Sequence, residues 1–197
     1  MSQIENLDFV HLHVHSEYSL VDGIIRVNEL VDHTLKLGYH SIALTDLTNL
    51  FGLIEFYRSA RKQGIKPIVG SEVYVAKDKD SVAAPLVLLA QNKQGYINLT
   101  KLVSRAYVDG QVNGDPVVLF SWLEEFSEGI IALSGGLDGH IGNSVLAGNH
   151  QLSESRIDFF QNIFGDNFFI EIQRTGKANE KEYNDSVLKL ASKKGIP

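Results

Sequence analysis

Short apolar runs alternate with amphipathic stretches along the chain. Phe9 to Val14 reads as a strand. Ser41 to Thr45, Ile68 to Val75, Leu86 to Ala90, Ile130 to Leu133 and Phe168 to Ile172 read as further short strands. Helical spacing fills several gaps between them. Val27 to Leu37 carries Leu30, Val31 and Leu35, with Gly38 placed to end the helix. Leu50 to Gln63 sets Leu53, Phe56, Tyr57 and Ala60 on one side, with Gly64 after it, and a last helix runs from about Glu180 to Lys193. Strand followed by helix, repeated, predicts an α/β fold with mostly parallel strands. A closed barrel and an open doubly wound sheet both fit this pattern. Polar residues at the ends of successive strands favour the barrel, where sites are assembled from βα loops. Gly195-Ile196-Pro197 echoes Gly64-Ile65-Lys66-Pro67, which leads into a strand. The expectation is therefore one domain over residues 1–197 that stops short of its last strands.

Composition narrows the chemistry. The chain has no cysteine, so any metal must sit on His, Asp and Glu. The formal net charge is -6, which argues against a strong grip on DNA by this segment alone. The basic stretch Arg58 to Lys66 reads as a solvated helix face. The first residues show no basic region followed by an apolar core, so they do not read as a signal peptide. No apolar run approaches the roughly 20 residues that span a bilayer. The expected location is cytoplasmic.

The strongest chemical signal is His11-Leu-His-Val-His-Ser16. In a strand, His11, His13 and His15 would share one face with Phe9, and paired imidazoles at a strand end suit a metal. A polar strand face without metal is the plainer reading. Asp22 precedes Gly23 in the following loop, where a turn would also explain it. Asp46 ends an apolar run, where a helix cap would also explain it. Glu72 interrupts an apolar strand and is harder to dismiss, because a buried carboxylate is costly unless paired or metal-bound. Together these residues suggest one or more cations held by imidazole and carboxylate, suited to activating water on a phosphate. His33 reads as a surface helix residue, and His40, just before a strand, as a cap on a helix end. The glycine-rich loop around His140 lacks both dinucleotide spacing and a Walker lysine, and reads as a tight turn.

The motifs themselves resemble a known family. His11-Leu-His-Val-His-Ser-Glu-Tyr-Ser-Leu-Val-Asp-Gly23 is similar to the first motif of the PHP (polymerase and histidinol phosphatase) family. Ala43-Leu-Thr-Asp-Leu-Thr-Asn-Leu-Phe-Gly52 resembles the second motif, and Gly64-Ile-Lys-Pro-Ile-Val-Gly-Ser-Glu72 the third. Leu86-Val-Leu-Leu-Ala-Gln-Asn-Lys-Gln-Gly-Tyr-Ile-Asn-Leu99 resembles a signature of the branch found at the N-terminus of bacterial replicative DNA polymerase alpha subunits. Leu133 to Gly136 and Phe169 to Gly176 fit the same branch.

The resemblance implies a distorted, TIM-like (β/α)7 barrel with metals at the C-terminal ends of its strands. It implies His13, His15, Asp22, Asp46 and Glu72 as ligands, with His11 as a neighbour. It also marks departures: Leu47, Pro85 and Thr175 stand where metal-binding relatives carry histidine. The implied site is a partial one, with a divalent metal (zinc, manganese or magnesium) at low occupancy. The implied parent is a DNA-directed DNA polymerase using magnesium, with its polymerase site outside these residues. DNA and the other replisome subunits are then met through the rest of that protein, and this segment is structural and a docking site for the proofreading exonuclease subunit. The rival expectation is residual phosphoesterase chemistry, as a pyrophosphatase or a 3′–5′ exonuclease.

Overall fold

The computed structural model describes residues 9–20 and 22–197. The reading of the opening residues as lacking a leader thus falls mostly outside it. The chain divides into two compact units, residues up to Ser71 and Glu72–Pro197, and strand β2 (Lys66–Ala76) runs through the boundary.

The first unit holds α1 (Val27–Lys36), β1 (Ser41–Leu44) and α2 (Leu53–Lys62), followed by the start of β2. β1 and β2 pair in parallel, Ser41 opposite Lys66 and Leu44 opposite Val69, with α2 as the crossover between them. Helical spacing on α1 and α2 buries Val27, Leu30, Val31, Phe56 and Ala60 against Ile42, Leu44 and Ile65, with Val14 and Tyr18 packed at the edge. Removing one such large side chain from water stabilises by about 1.5–3 kcal/mol. Tyr57, expected on the buried side of α2, is instead exposed.

The predicted strand over Phe9 to Val14 is not a regular strand. The segment is extended and lies beside β1, with Ala43 N–H donating to the His11 carbonyl and Thr45 N–H to that of Val14. Between those bonds it advances three residues while β1 advances two. The Val14 N–H goes to the Thr45 side-chain oxygen (2.8 Å). This bulge breaks the ladder and the strict alternation assumed from the sequence.

In the second unit, β3 (Ala84–Ala90) is followed by α3 (Lys93–Asp109), β4 (Gln111–Val112), β5 (Asp115–Leu119) and α4 (Phe120–Phe126). Then come β6 (Ile130–Leu133), α5 (His140–Leu146), α6 (His150–Phe164), β7 (Phe168–Phe169) and α7 (Glu180–Lys194). The strand order is β4-β5-β2-β3-β6-β7, with β1 beside β2, and the sheet is open among the described residues. It is also mixed. β2–β5 and β6–β7 are parallel, whereas β3–β6 and β4–β5 are antiparallel. With β1–β2, parallel pairing still predominates among these pairs, and the two antiparallel pairs are what the sequence pattern did not anticipate. Asn113 and Gly114, both at positive φ, turn β4 back onto β5 as a tight hairpin. β7 is only two residues long, shorter than the predicted run to Ile172, because beyond Phe169 the chain bonds to single groups. Ile170 N–H meets the Pro197 carbonyl and Glu171 N–H meets Ser134 Oγ.

Candidate metal centre

The bulged segment ends in a tight turn built around one buried carboxylate. Asp46, directly after β1, is 1% exposed. One of its oxygens accepts from the Ser16 N–H (2.7 Å) and from Ser19 Oγ (2.7 Å), and both accept from Ser16 Oγ (3.0 and 2.9 Å). Ser19 Oγ in turn accepts from the Leu47 N–H, and Ser71 Oγ donates to the Asp46 carbonyl. Charge-assisted bonds of this kind are the strong ones, and here they fasten the turn Glu17–Ser19 to the end of β1. Ser16 and Ser19 have no hydrophobic periodicity to announce them. Their spacing in Ser-Glu-Tyr-Ser, one turn apart, is the only sign in the sequence. Two residues after Asp46, Thr48 is buried at φ 46°, and its hydroxyl has no hydrogen-bond partner. That is an unusual backbone for a β-branched residue. Asn49 holds this loop by donating to the Tyr18 and Leu47 carbonyls and accepting from the Phe51 N–H.

The turn presents the histidines. His13 and His15 stack edge-on with centroids 5.3 Å apart. His11 keeps other company, 4.8 Å from Phe9 and 5.6 Å from Tyr39. Glu72 follows Ser71 without a break in β2 and is buried. One ligand atom each from His13, His15 and Glu72 lie within 4.8 Å of one another. Asp22 stands at the edge of this group, its Oδ2 3.3 Å from His15 Nδ1 and its side chain largely exposed. A proton on Nδ1 facing Asp22 makes Nε2 the nitrogen with the lone pair, the usual way a carboxylate orients a ligating imidazole. Gly23 lets the loop come this close, since a Cβ there would lie 1.8 Å from the Ser16 carbonyl oxygen.

Of the five residues expected together, three share the cluster, Asp22 touches it through His15, and Asp46 is occupied with the serines. The donor set, two imidazoles and a carboxylate, suits a single divalent cation with positions left open. Such a cation would polarise a phosphoryl oxygen or make a bound water more acidic. His13, His15 and Glu72 would hold it, Asp22 would orient His15, and Asp46 would keep the turn in place. Leu47 is half-buried beside Asp46, Pro85 is buried in β3, and Thr175 is exposed with its N–H bonded to Glu180. None of the three offers a ligand.

The remaining histidines have other surroundings. His33 is exposed, its Nδ1 2.9 Å from the Glu29 carbonyl, and His40 is exposed. His140 lies just after the glycine-rich turn. It opens α5, is largely buried, and its Nε2–H donates to the Val75 carbonyl at 2.8 Å. Burial first, then the charge of Arg156, lowers its pKa below the ordinary 6.5, against the opposing pull of that bond.

A family model for the PHP domain matches residues 11–175. The chain belongs to the PHP domain family. This PHP domain is 43% identical to DNA polymerase III subunit alpha of Vibrio cholerae over 190 residues, and 42% identical to that of Escherichia coli over 190 residues. Each match takes in 96% of this chain and 16% of the relative, so the chain spans about a sixth of the length of these relatives. Among solved structures, one from Bifidobacterium adolescentis assigned as a metal-dependent phosphoesterase superposes with TM-score 0.61 at 14% identity. It covers 95% of this chain and 84% of that one. An amidohydrolase from Chromobacterium violaceum, with bound sulfate and no metal, gives TM-score 0.62 at 17% identity over the same shares. The mixed α/β fold is thus that of PHP and amidohydrolase proteins. Among the described residues no helix is long and apolar enough to cross a membrane.

Proposed function

We propose that this PHP domain is part of a DNA polymerase III alpha subunit, a DNA-directed DNA polymerase of chromosome replication, and serves that protein as a structural and docking module. The observation that carries this reading is the 43% identity to such a subunit across nearly the whole chain. In this reading the polymerase site and its magnesium lie outside these residues, and the partner docked here is the proofreading exonuclease subunit. The metal pocket is a remnant. Its acid behind the histidines, Asp46, is committed to Ser16 and Ser19, and Leu47, Pro85 and Thr175 supply nothing in place of further ligands.

Calorimetric titration of the chain with the purified proofreading subunit tests the docking role. Saturable binding that survives His13→Ala is expected. No heat and no co-elution on gel filtration would refute it.

A second reading has its own support. His13, His15 and Glu72 can still hold one cation, and a phosphoester hydrolase would need little more than a metal-activated water. Turnover of a phosphodiester or of pyrophosphate with added zinc or manganese separates the two readings.

A further inference from the structure

We propose that the groove between α1 and α2 binds an acidic segment of a partner protein, with one apolar side chain seated on Phe51 and Ile54 and carboxylates paired with Arg58 and Lys62. The groove measures about 850 Å3 and lies wholly within the first unit. Its walls are tied at both ends by side chains. Asn28 Nδ2 donates to Glu55 Oε1 (2.6 Å) at one end, and Gln63 Nε2 donates to Asp32 Oδ1 (2.7 Å) at the other. A cleft held open in this way costs little to organise on binding.

Its charge is asymmetric. Both acids in the lining are already engaged, Asp32 by Gln63 and Glu55 by Asn28 and by the Tyr18 hydroxyl (3.2 Å). Arg58 and Lys62 line the same groove, and among the described residues neither meets a hydrogen-bond or ion-pair partner. Two unpaired cations thus face solvent on a chain whose net charge is -6. Ile54, Arg58 and Lys62 follow one another at i, i+4 spacing, so they form a single ridge along α2. The ridge begins with exposed apolar surface, since Phe51 is 66% and Ile54 60% exposed. An apolar anchor beside two cations selects an acidic amphipathic peptide. A nucleic acid strand fits less well, because it presents a phosphate at every nucleotide where the groove offers two cations beside an apolar seat. The inference is independent of the proofreading subunit, since the partner is defined here by its chemistry alone.

The test is a display selection of random peptides against the immobilised chain. Enriched peptides are then measured by fluorescence anisotropy against wild type, Arg58→Glu with Lys62→Glu, and Phe51→Ala with Ile54→Ala. A control carries Lys79→Glu with Lys189→Glu, which makes the same charge change outside the groove. Thermal melts establish that each variant is folded, and a labelled oligothymidylate is titrated in parallel. The expected result is a consensus of Asp or Glu flanking a large apolar residue. Affinity should fall at least about tenfold in both groove variants, weaken with salt, and stay near wild type in the control. The proposal is overturned if nothing is enriched or the consensus is not acidic. It is equally overturned if the groove variants bind like the control, or if the oligothymidylate binds and is displaced from the same residues.

Discussion

Asp46 and Asp22 look alike in the sequence, as candidate ligands that a cap or a turn would also explain, but the structure gives them different tasks. Asp46 is buried and accepts from two serine hydroxyls and a backbone N–H, so its removal leaves those donors without an acceptor. Asp46→Ala is expected to destabilise the chain by about 2–4 kcal/mol in denaturant unfolding. Asp22 is largely exposed and faces His15 across 3.3 Å. Asp22→Ala should leave stability within about 0.5 kcal/mol of wild type. It should weaken zinc or manganese binding by about tenfold or more, as loss of an orienting carboxylate does. Equal effects of the two substitutions on stability would mean that these roles are wrongly divided. Gly23 is required for a third reason. A methyl group there meets the Ser16 carbonyl, so Gly23→Ala should cost about 2–4 kcal/mol and disturb the histidine turn with it. An unchanged melting temperature would show that the loop can move aside.

Among the elements, the histidine segment shows what a sequence can and cannot disclose. His13 and His15 at i and i+2 were legible because an extended chain alternates its faces, and their rings do meet. The bulge was not legible, since it depends on the Val14 N–H choosing the Thr45 hydroxyl over a β1 carbonyl, a choice between groups 31 residues apart. The antiparallel pairing of β3 with β6 was equally hidden, because a buried strand reads the same in either direction. His140, at the start of α5, is the element-scale counterpart. Its context of glycines hid a buried imidazole packed 5.2 Å from Phe120, with Phe160 and Arg156 on α6 facing it. Its folded pKa lies below the unfolded 6.5, so the unfolded chain binds the proton more readily. This contribution to stability is complete above about pH 6.5 and is lost as pH falls below it. A denaturation midpoint that drops on acidification, and drops less in His140→Phe, is the expected outcome. A pH dependence unaltered by that substitution would remove His140 from the account.

At the scale of the whole molecule, a PHP domain carries two imidazoles and a carboxylate grouped as a metal site could be, and the role proposed for it is structural support of a polymerase. The sequence carried the family plainly through its motifs. It could not show that Asp46 is bonded inward, because a carboxylate that ligates and one that braces a turn have the same letter and the same neighbours. Hydrolysis needs a cation held firmly with an activated water; His13, His15 and Glu72 could hold one, and the expected lack of turnover rests on Leu47, Pro85 and Thr175 offering no further ligands. The most direct measurement is hydrolysis of a model phosphodiester by the purified chain, with manganese, zinc and magnesium added in turn, beside the His13→Ala variant. The account predicts no metal-dependent turnover above that of the variant. Turnover that rises with one of these metals and disappears in His13→Ala would contradict it.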